Sequence, residues 1–110
     1  MDLILVKHLC EENKIRWTEH IFKRLVERGI SMKDVKNAIL AGEIIEDYPN
    51  DYPFPSCLVL GTSQNGAAIH VVCAPDDTGS ELWLITAYFP STDKWMSDFK
   101  VRKVKELEAK

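Results

Sequence analysis

The amino-acid sequence of 110 residues predicts an α+β fold, with two N-terminal helices packed on one face of a small antiparallel β-sheet. In residues 18–41 the apolar side chains recur every three or four positions, which is the period of an amphipathic helix. In residues 43–88 they follow the two-residue period of strands instead. Within this second region, the dipeptide Asn65-Gly66 is the strongest short-range signal of a β-hairpin. Because the helical pattern precedes the strand pattern, residues 1–110 are expected to form one domain with a helical layer and a sheet layer.

Capping residues mark the ends of the two predicted helices, at residues 18–28 and 32–41. Thr18 suits the N-cap of the first helix, and Gly29 suits its C-cap. Ser31 begins a pattern that resembles a capping box, which opens the second helix. The expected core beneath these helices comprises Phe22, Leu25, Val35, Ile39, Val59 and Val71.

The remaining elements follow from breaks in these patterns. Three prolines between residues 49 and 55 exclude a helix there and favour an extended, irregular loop. The other expected elements are a short helix in the first twelve residues, either a brief strand or a plain connection at 14–17, a strand near 43–48, the hairpin at 57–74, a strand at 82–89, a helical turn at 92–99 and a basic tail at 100–110.

The charge is distributed unevenly along the chain. The formal net charge is −3, which argues against broad nucleic-acid binding. Residues 100–110 hold five Lys or Arg against two Glu, a net charge of +3, so a basic tail follows an acidic body. Such a tail can still bind a polyanion or a partner protein locally. No apolar run reaches the roughly 20 residues of a membrane span, and the first residues lack the pattern of an export signal. The expected location is therefore the cytoplasm.

The cysteines and the absent motifs narrow the possible chemistry. Cys10, Cys57 and Cys73 are odd in number and far apart, which argues against a disulfide framework and a zinc knuckle. Cys57 and Cys73 lie in apolar strand-like runs and are expected to be small buried hydrophobes. The sequence has no HExxH, P-loop, GxGxxG or GxSxG motif, so neither a metal ion nor a cofactor is expected. An acidic cluster expected to be solvated comprises Glu43, Glu46, Asp47 and Asp51.

The first predicted helix carries a row of basic side chains. His20, Arg24 and Arg28 recur every fourth residue, which aligns them along one face of a helix. Such a row suits an anionic partner, and RNA phosphate is the obvious candidate. The alternative is a solvated outer face, since charged helix faces are usually solvated.

The chain also contains residues suited to metal-independent RNA cleavage. This reaction needs a base for the 2′-hydroxyl, an acid for the leaving oxygen and cations for the pentavalent phosphorane, and His, Tyr and Arg can fill these roles. Tyr88 shares a strand face with Thr86, and His70 joins them only if the strands pair in the right register. The alternative for His70 is a histidine packed among apolar neighbours. The catalytic candidates are His70 or His20 as base and Tyr88 as acid, and the substrate-binding candidates are Arg24, Arg28 and Arg102.

Four segments in combination resemble a known bacterial family. They are WTEHIFKRLVERGIS, GEIIEDYPNDYPFPSCLVLG, IHVVCA and ITAYFP followed by Trp95. Over about residues 15–99 they resemble the bacterial domain-of-unknown-function family 4258. This family looks like a distant relative of the RelE and BrnT toxin ribonucleases, which are small α+β domains. The resemblance implies RNA as substrate and a small antitoxin-like protein as partner, and the matching motifs carry His20, Arg24, Arg28, His70 and Tyr88.

Three functional hypotheses follow. The leading hypothesis is a toxin-like domain that binds RNA and cleaves it without a metal ion. It predicts that Arg24 and His70 lie close together at one end of the sheet, with Tyr88 lining the same cleft. The second hypothesis is a non-catalytic module in which the basic helix row and the Tyr-Pro loop dock a protein partner. The third is a structural subunit.

Overall fold

The structure is a computed structural model and describes residues 1–104. It contains three helices and five strands within this range. The helices are α1 (Leu3–Glu11), α2 (Glu19–Arg28) and α3 (Met32–Ala41). The strands are β1 (Ile15–Arg16), β2 (Glu43–Tyr48), β3 (Ser56–Thr62), β4 (Ala68–Pro75) and β5 (Leu82–Tyr88). The predicted α+β class is therefore confirmed.

The strands form one five-stranded sheet in the order β1-β5-β4-β3-β2. The four strands from β2 to β5 pair antiparallel with their neighbours, as the hairpin and strand patterns predict. The short strand β1 pairs parallel with β5, where Ile15 lies beside Leu82 and Arg16 beside Trp83. This parallel pair was not predicted, because β1 and β5 are far apart in the chain and two residues carry no usable strand period.

The predicted capping residues set the helix ends. The Thr18 side chain accepts a hydrogen bond from the Ile21 N–H at the start of α2, and Gly29 ends that helix with a φ of 71°. Ser31 and Asp34 form a complete capping box at the start of α3. These bonds satisfy N–H groups that the first turn of a helix leaves without partners.

The helices and the sheet share one hydrophobic core. Helix α3 packs on β3 and β4, α2 packs on β5, and α1 packs mainly on α3. The buried residues Leu25, Val35, Ile39, Val59 and Val71 confirm five of the six predicted core positions.

Phe22 was predicted to be buried, but it is 48% exposed. The face of α2 that meets the sheet runs through Ile21, Leu25 and Arg28, at the spacing of two helical turns. Phe22 therefore lies beside this face, together with the exposed Val26. The prediction was wrong because a partly polar stripe, ending in Arg28, occupies the buried side of the helix.

Truncation of Leu25 tests this packing. Leu25→Ala is expected to lower the free energy of unfolding by about 2–5 kcal/mol, because the side chain is 1% exposed and its loss leaves a cavity. The matched control Val26→Ala, one position along the same helix and 66% exposed, is expected to cost under about 1 kcal/mol. Urea denaturation measures both values, and similar losses for the two variants would contradict the orientation of α2.

A turn-rich segment follows β5. The N–H groups of Lys94 and Trp95 both donate to the Ser91 carbonyl, which gives a single turn where a helical turn was expected. Trp95 then forms a β-bridge with Arg102, so the chain folds back on itself. No further helix follows in the part up to residue 104, and the rest of the basic tail, residues 105–110, lies outside the described residues. None of the helices within residues 1–104 is long and apolar enough to cross a membrane.

Candidate functional site

The register of β4 and β5 places His70 directly opposite Tyr88. The sequence left this register open, and the structure brings the two side chains together. The Tyr88 hydroxyl lies 3.2 Å from Nδ1 of His70, and the two rings meet edge to face with their centroids 5.3 Å apart. These residues lie on the strand positions that alternate with the core residues Val71 and Ala87.

Both ring nitrogens of His70 have partners. Nε2 lies 2.8 Å from the Phe99 carbonyl oxygen, which can only accept, so Nε2 carries the proton. Nδ1 is then the acceptor, and the Tyr88 hydroxyl donates to it. The side chain is fully buried, and this burial lowers the pKa of His70. The imidazole is therefore neutral at pH 7 and fixed in one tautomer.

A tryptophan and an arginine continue the cluster on the other side of His70. The Trp95 ring packs edge to face on His70, with centroids 4.4 Å apart and an interplanar angle of 84°. The guanidinium of Arg102 lies over the Trp95 ring at 4.6 Å. Trp95 is thus stacked between an imidazole and a cation, and its burial explains how a turn-rich segment is held against the sheet.

Arg102 is anchored by strand β2. Its Nε donates to Glu46 Oε2 at 3.0 Å, and its Nη2 donates to Glu46 Oε1 at 3.1 Å. The Tyr48 hydroxyl donates to the same carboxylate. Burial opposes ionisation of Glu46, but the hydrogen bonds from Arg102 and Tyr48 outweigh it and lower the pKa of Glu46. Burial and the neighbouring Glu46 raise the pKa of Tyr48 to about 12.

Glu46 and Tyr48 on β2 were not expected at the site. Glu46 was assigned to a solvated acidic cluster, but it is half-buried and pairs with Arg102. Tyr48, at the start of the Tyr-Pro loop, was considered only for docking a protein partner. Glu46 and Tyr48 are two residues apart on β2, and this spacing is the sequence signal that places both side chains on the same face of the strand.

A cleft of about 330 Å³ opens beside this cluster. Tyr88 and Arg102 are among its lining residues, and the buried His70 is hydrogen-bonded to Tyr88 behind this wall. Burial raises the pKa of Tyr88, although Arg102 partly opposes this effect, and the phenol is protonated at neutral pH. The cleft is lined by Tyr88, Phe89, Ser91, Lys94, Trp95 and Arg102.

The basic row of α2 divides into two parts. His20 and Arg24 are exposed, do not line the cleft, and form no side-chain hydrogen bond or ion pair within residues 1–104. Arg28 turns inward, where its Nη1 donates to the Thr86 hydroxyl at 3.0 Å and to the Ala87 carbonyl at 2.8 Å. Arg28 therefore ties α2 to β5, next to Tyr88 but outside the cleft lining.

The burial of His70 predicts a pH dependence of stability. Because the folded-state pKa is lowered, the unfolded chain binds a proton at a higher pH than the folded protein does. The stabilising contribution is complete above the unfolded value of about 6.5 and decreases as the pH falls below it. The free energy of unfolding, measured between pH 7.5 and 5, is expected to decrease across this window.

The control for this prediction is His70→Gln. His8 and His20 remain in that variant, so any difference in pH dependence belongs to residue 70. We expect the variant to be less stable at pH 7.5 and to show a flatter profile between pH 7.5 and 5. An unchanged profile would contradict the burial of a neutral imidazole.

The fold and the site together define a small α+β domain whose polar cluster is held between the sheet and the segment that follows it. The family model for the domain of unknown function DUF4258 matches residues 17–89. The chain belongs to this family, in agreement with the resemblance of its sequence motifs. Comparisons with curated proteins and with solved structures return no match.

Proposed function

We propose that this protein is a toxin-like small domain that binds RNA in the cleft beside Tyr88 and cleaves it without a metal ion. The observation that carries the proposal is the hydrogen bond between the Tyr88 hydroxyl and His70 at the wall of a cleft that also contains Lys94 and Arg102. A proton-transfer pair beside two cations is the combination that metal-independent phosphodiester cleavage needs.

The lining of the cleft suits one nucleotide of a single strand. Lys94 provides charge for a phosphate, Arg102 adds the guanidinium N–H groups that Glu46 does not bind, and the Ser91 hydroxyl provides a further hydrogen-bond donor. Phe89 is 45% exposed and offers a ring face on which a base can stack. The distant likeness of the family to toxin ribonucleases supports the same class of substrate.

The proposal assigns the proton-transfer roles as follows. The Tyr88 oxygen accepts the proton of the 2′-hydroxyl while the phenolic proton moves to Nδ1 of His70. The resulting imidazolium still donates from Nε2 to the Phe99 carbonyl, and the charge of Glu46 favours it. The 2′-oxygen bonds to phosphorus and the P–O5′ bond breaks; Nδ1 returns its proton to the Tyr88 oxygen, and the phenol gives a proton to the leaving 5′-oxygen. Tyr88 is thus the group that contacts RNA, and His70 acts through it as a positioning residue. This changes the sequence-based expectation, in which His70 or His20 is the base and Tyr88 is the acid.

The proposal also uses the expected arrangement in which the helices cover one face of the sheet. Val59 and Val71 pack with the helices, whereas His70 lies at an alternate position on β4. Placing RNA on the side of His70 leaves the helical layer free of the substrate. In this arrangement His20 and Arg24, which the sequence predicted as site residues, contribute to RNA binding only if the bound RNA continues past β5 to helix α2.

Lys94→Ala tests RNA binding at the cleft. Its side chain is exposed, so the substitution is expected to leave the fold intact, to weaken RNA binding and to reduce its salt dependence by roughly one phosphate contact. Fluorescence anisotropy with a labelled mixed-sequence RNA at several salt concentrations measures this. Lys23→Ala, which removes an exposed lysine of α2 outside the cleft, is the matched control.

Two further measurements complete the test. Incubation of the purified protein with mixed RNA is expected to give the same cleavage with and without EDTA. Arg24→Ala tests whether the basic row of α2 contributes to RNA binding. If this variant also reduces the salt dependence, as Lys94→Ala is expected to do, the RNA lies along that helix as well. Equal binding by the wild type, Lys94→Ala and Lys23→Ala would overturn the proposed site.

A second candidate function is a non-catalytic protein-binding module, and an apolar groove on the helices favours it. The groove has a volume of about 400 Å³, and its walls include Phe22, Val26 and Met32, all exposed. Monomeric proteins rarely expose a contiguous apolar surface without use. Titration with the product of an adjacent gene is expected to show binding that Val26→Glu abolishes and Lys94→Ala leaves unchanged.

A further inference from the structure

Two of the three cysteines face each other across the centre of the sheet. The antiparallel register of β3 and β4 places Cys57 directly opposite Cys73, although 15 residues separate them in the chain. Both side chains are fully buried in the core, and both are free thiols. The sequence spacing gave no indication of this pairing, because it depends on the register of the hairpin.

The geometry of the pair matches that of a disulfide bond. Residues directly opposite in an antiparallel pair have Cα atoms about 4.5–5.5 Å apart, within the range of about 4.4–6.8 Å that disulfides span. Because Cys57 and Cys73 lie directly opposite each other in this register, the two side chains project from the same face of the sheet, into the core. Cys10, the third thiol, instead donates to the Lys36 carbonyl at 3.8 Å.

We propose that Cys57 and Cys73 are an oxidation site that closes to a cross-strand disulfide when the protein meets a hydroperoxide. The bond would join β3 to β4 within the core, without displacing either strand. This inference is independent of the proposed RNA site.

Access is best on the side of Cys57. Its partner across β2 is Asp47, which lies 3.3 Å from the Met1 amine. A cleft of about 400 Å³ is lined by these two residues, by the neighbouring Ser56, and by Pro49 and Pro55. The Cys57 thiol is fully buried, so local opening of the residues that line this cleft limits the rate of its oxidation. The neighbouring Cys73 thiol also lowers the pKa of Cys57, which favours the reactive thiolate.

The reaction proceeds in two steps. The Cys57 thiolate attacks one oxygen of hydrogen peroxide, the O–O bond breaks, and the products are a sulfenic acid and, after protonation of the hydroxide, water. The Cys73 sulfur then attacks the sulfenic sulfur, the S–O bond breaks, and a second water leaves with the Cys73 proton. In sum, two thiols are oxidised to one disulfide and one peroxide is reduced to two waters.

The experiment treats the whole wild-type protein with hydrogen peroxide and measures intact mass, free thiols and digest peptides. We expect the mass to fall by the two hydrogen atoms lost, and free thiols to fall from three to one. The peptides that contain Cys57 and Cys73 are expected to be linked, and dithiothreitol is expected to reverse the change. The thermal midpoint of the oxidised form is expected to be higher than that of the reduced form, because the bridge restricts the unfolded chain.

The variant Cys10→Ala is the matched control and is expected to form the same disulfide. Cys73→Ala, if folded by circular dichroism, is expected to stop at sulfenic acid on Cys57, which dimedone traps. Three unchanged thiols after peroxide treatment of folded wild-type protein would overturn the proposal. A bridge that includes Cys10, or linkage between two molecules only, would overturn it as well.

Discussion

Gly61→Ala is expected to lower the free energy of unfolding by more than about 3 kcal/mol. Gly61 lies in β3, where α3 crosses the sheet. A Cβ atom there would lie 2.0 Å from the Ala38 carbonyl oxygen and 2.6 Å from the Ala38 Cα. Both atoms belong to the helix backbone, which cannot turn aside as a long side chain can. The substitution therefore forces α3 away from β3 and opens the core between them.

The expected loss is a large part of the roughly 5–15 kcal/mol that stabilises a typical domain. Urea denaturation followed by circular dichroism measures it. Gly66→Ala is the matched control: a Cβ there would meet nothing within 4 Å, but the φ of +90° still disfavours alanine. We expect that control to cost about 1–2 kcal/mol. Equal losses for the two variants would show that α3 does not pack as closely on β3 as the structure indicates.

The helices of this fold could be predicted from the sequence because their signals are local. Thr18 and Gly29 act on N–H and carbonyl groups within one turn of their own position. The same holds for Ser31 and for the turn at Asn65-Gly66. Interactions over so few residues depend little on the rest of the chain. The helices and the hairpin therefore occur where the capping and turn residues predict them.

The features that the sequence missed all depend on contacts between distant residues. Phe22 was placed in the core because apolar residues usually face inward, but the inner side of α2 carries Leu25 and Arg28, which is bonded to Thr86 of β5. The parallel pairing of β1 with β5 also depends on a contact across most of the chain. No local period encodes either arrangement.

The candidate site likewise depends on contacts that local sequence patterns do not predict. The residue types of His70 and Tyr88 were apparent from the sequence, but their contact depends on a register that only the paired strands define. Trp95 and Glu46 join the site through the fold of the segment after β5, where Arg102 links them. A sequence pattern can indicate a polar residue on an apolar strand, but it does not identify the side chains that surround it.

Tyr88→Phe is expected to reduce RNA cleavage by about 10²–10⁴-fold while leaving RNA affinity nearly unchanged, if the proposed function holds. The substitution removes one hydroxyl and keeps the ring against His70, so the cleft and its cations stay in place. The hydroxyl matters mainly in the transition state, when the proton of the 2′-hydroxyl moves. Single-turnover cleavage of a labelled RNA gives the rate, and fluorescence anisotropy gives the affinity.

A relay through His70 also predicts the pH profile of the wild-type rate. The imidazole must be neutral to accept the phenolic proton, and its pKa is lowered by burial, so the rate should rise with pH only below about 6.5 and then level off.

Tyr52→Phe is the matched control for Tyr88→Phe, because Tyr52 is 94% exposed in the proline loop and should retain the wild-type rate. If Tyr88→Phe cleaves as fast as Tyr52→Phe, the phenol has no part in proton transfer. The His70–Tyr88 bond would then serve only to hold β4, β5 and the Trp95 segment together, and the apolar groove on α2 and α3 would become the better guide to function.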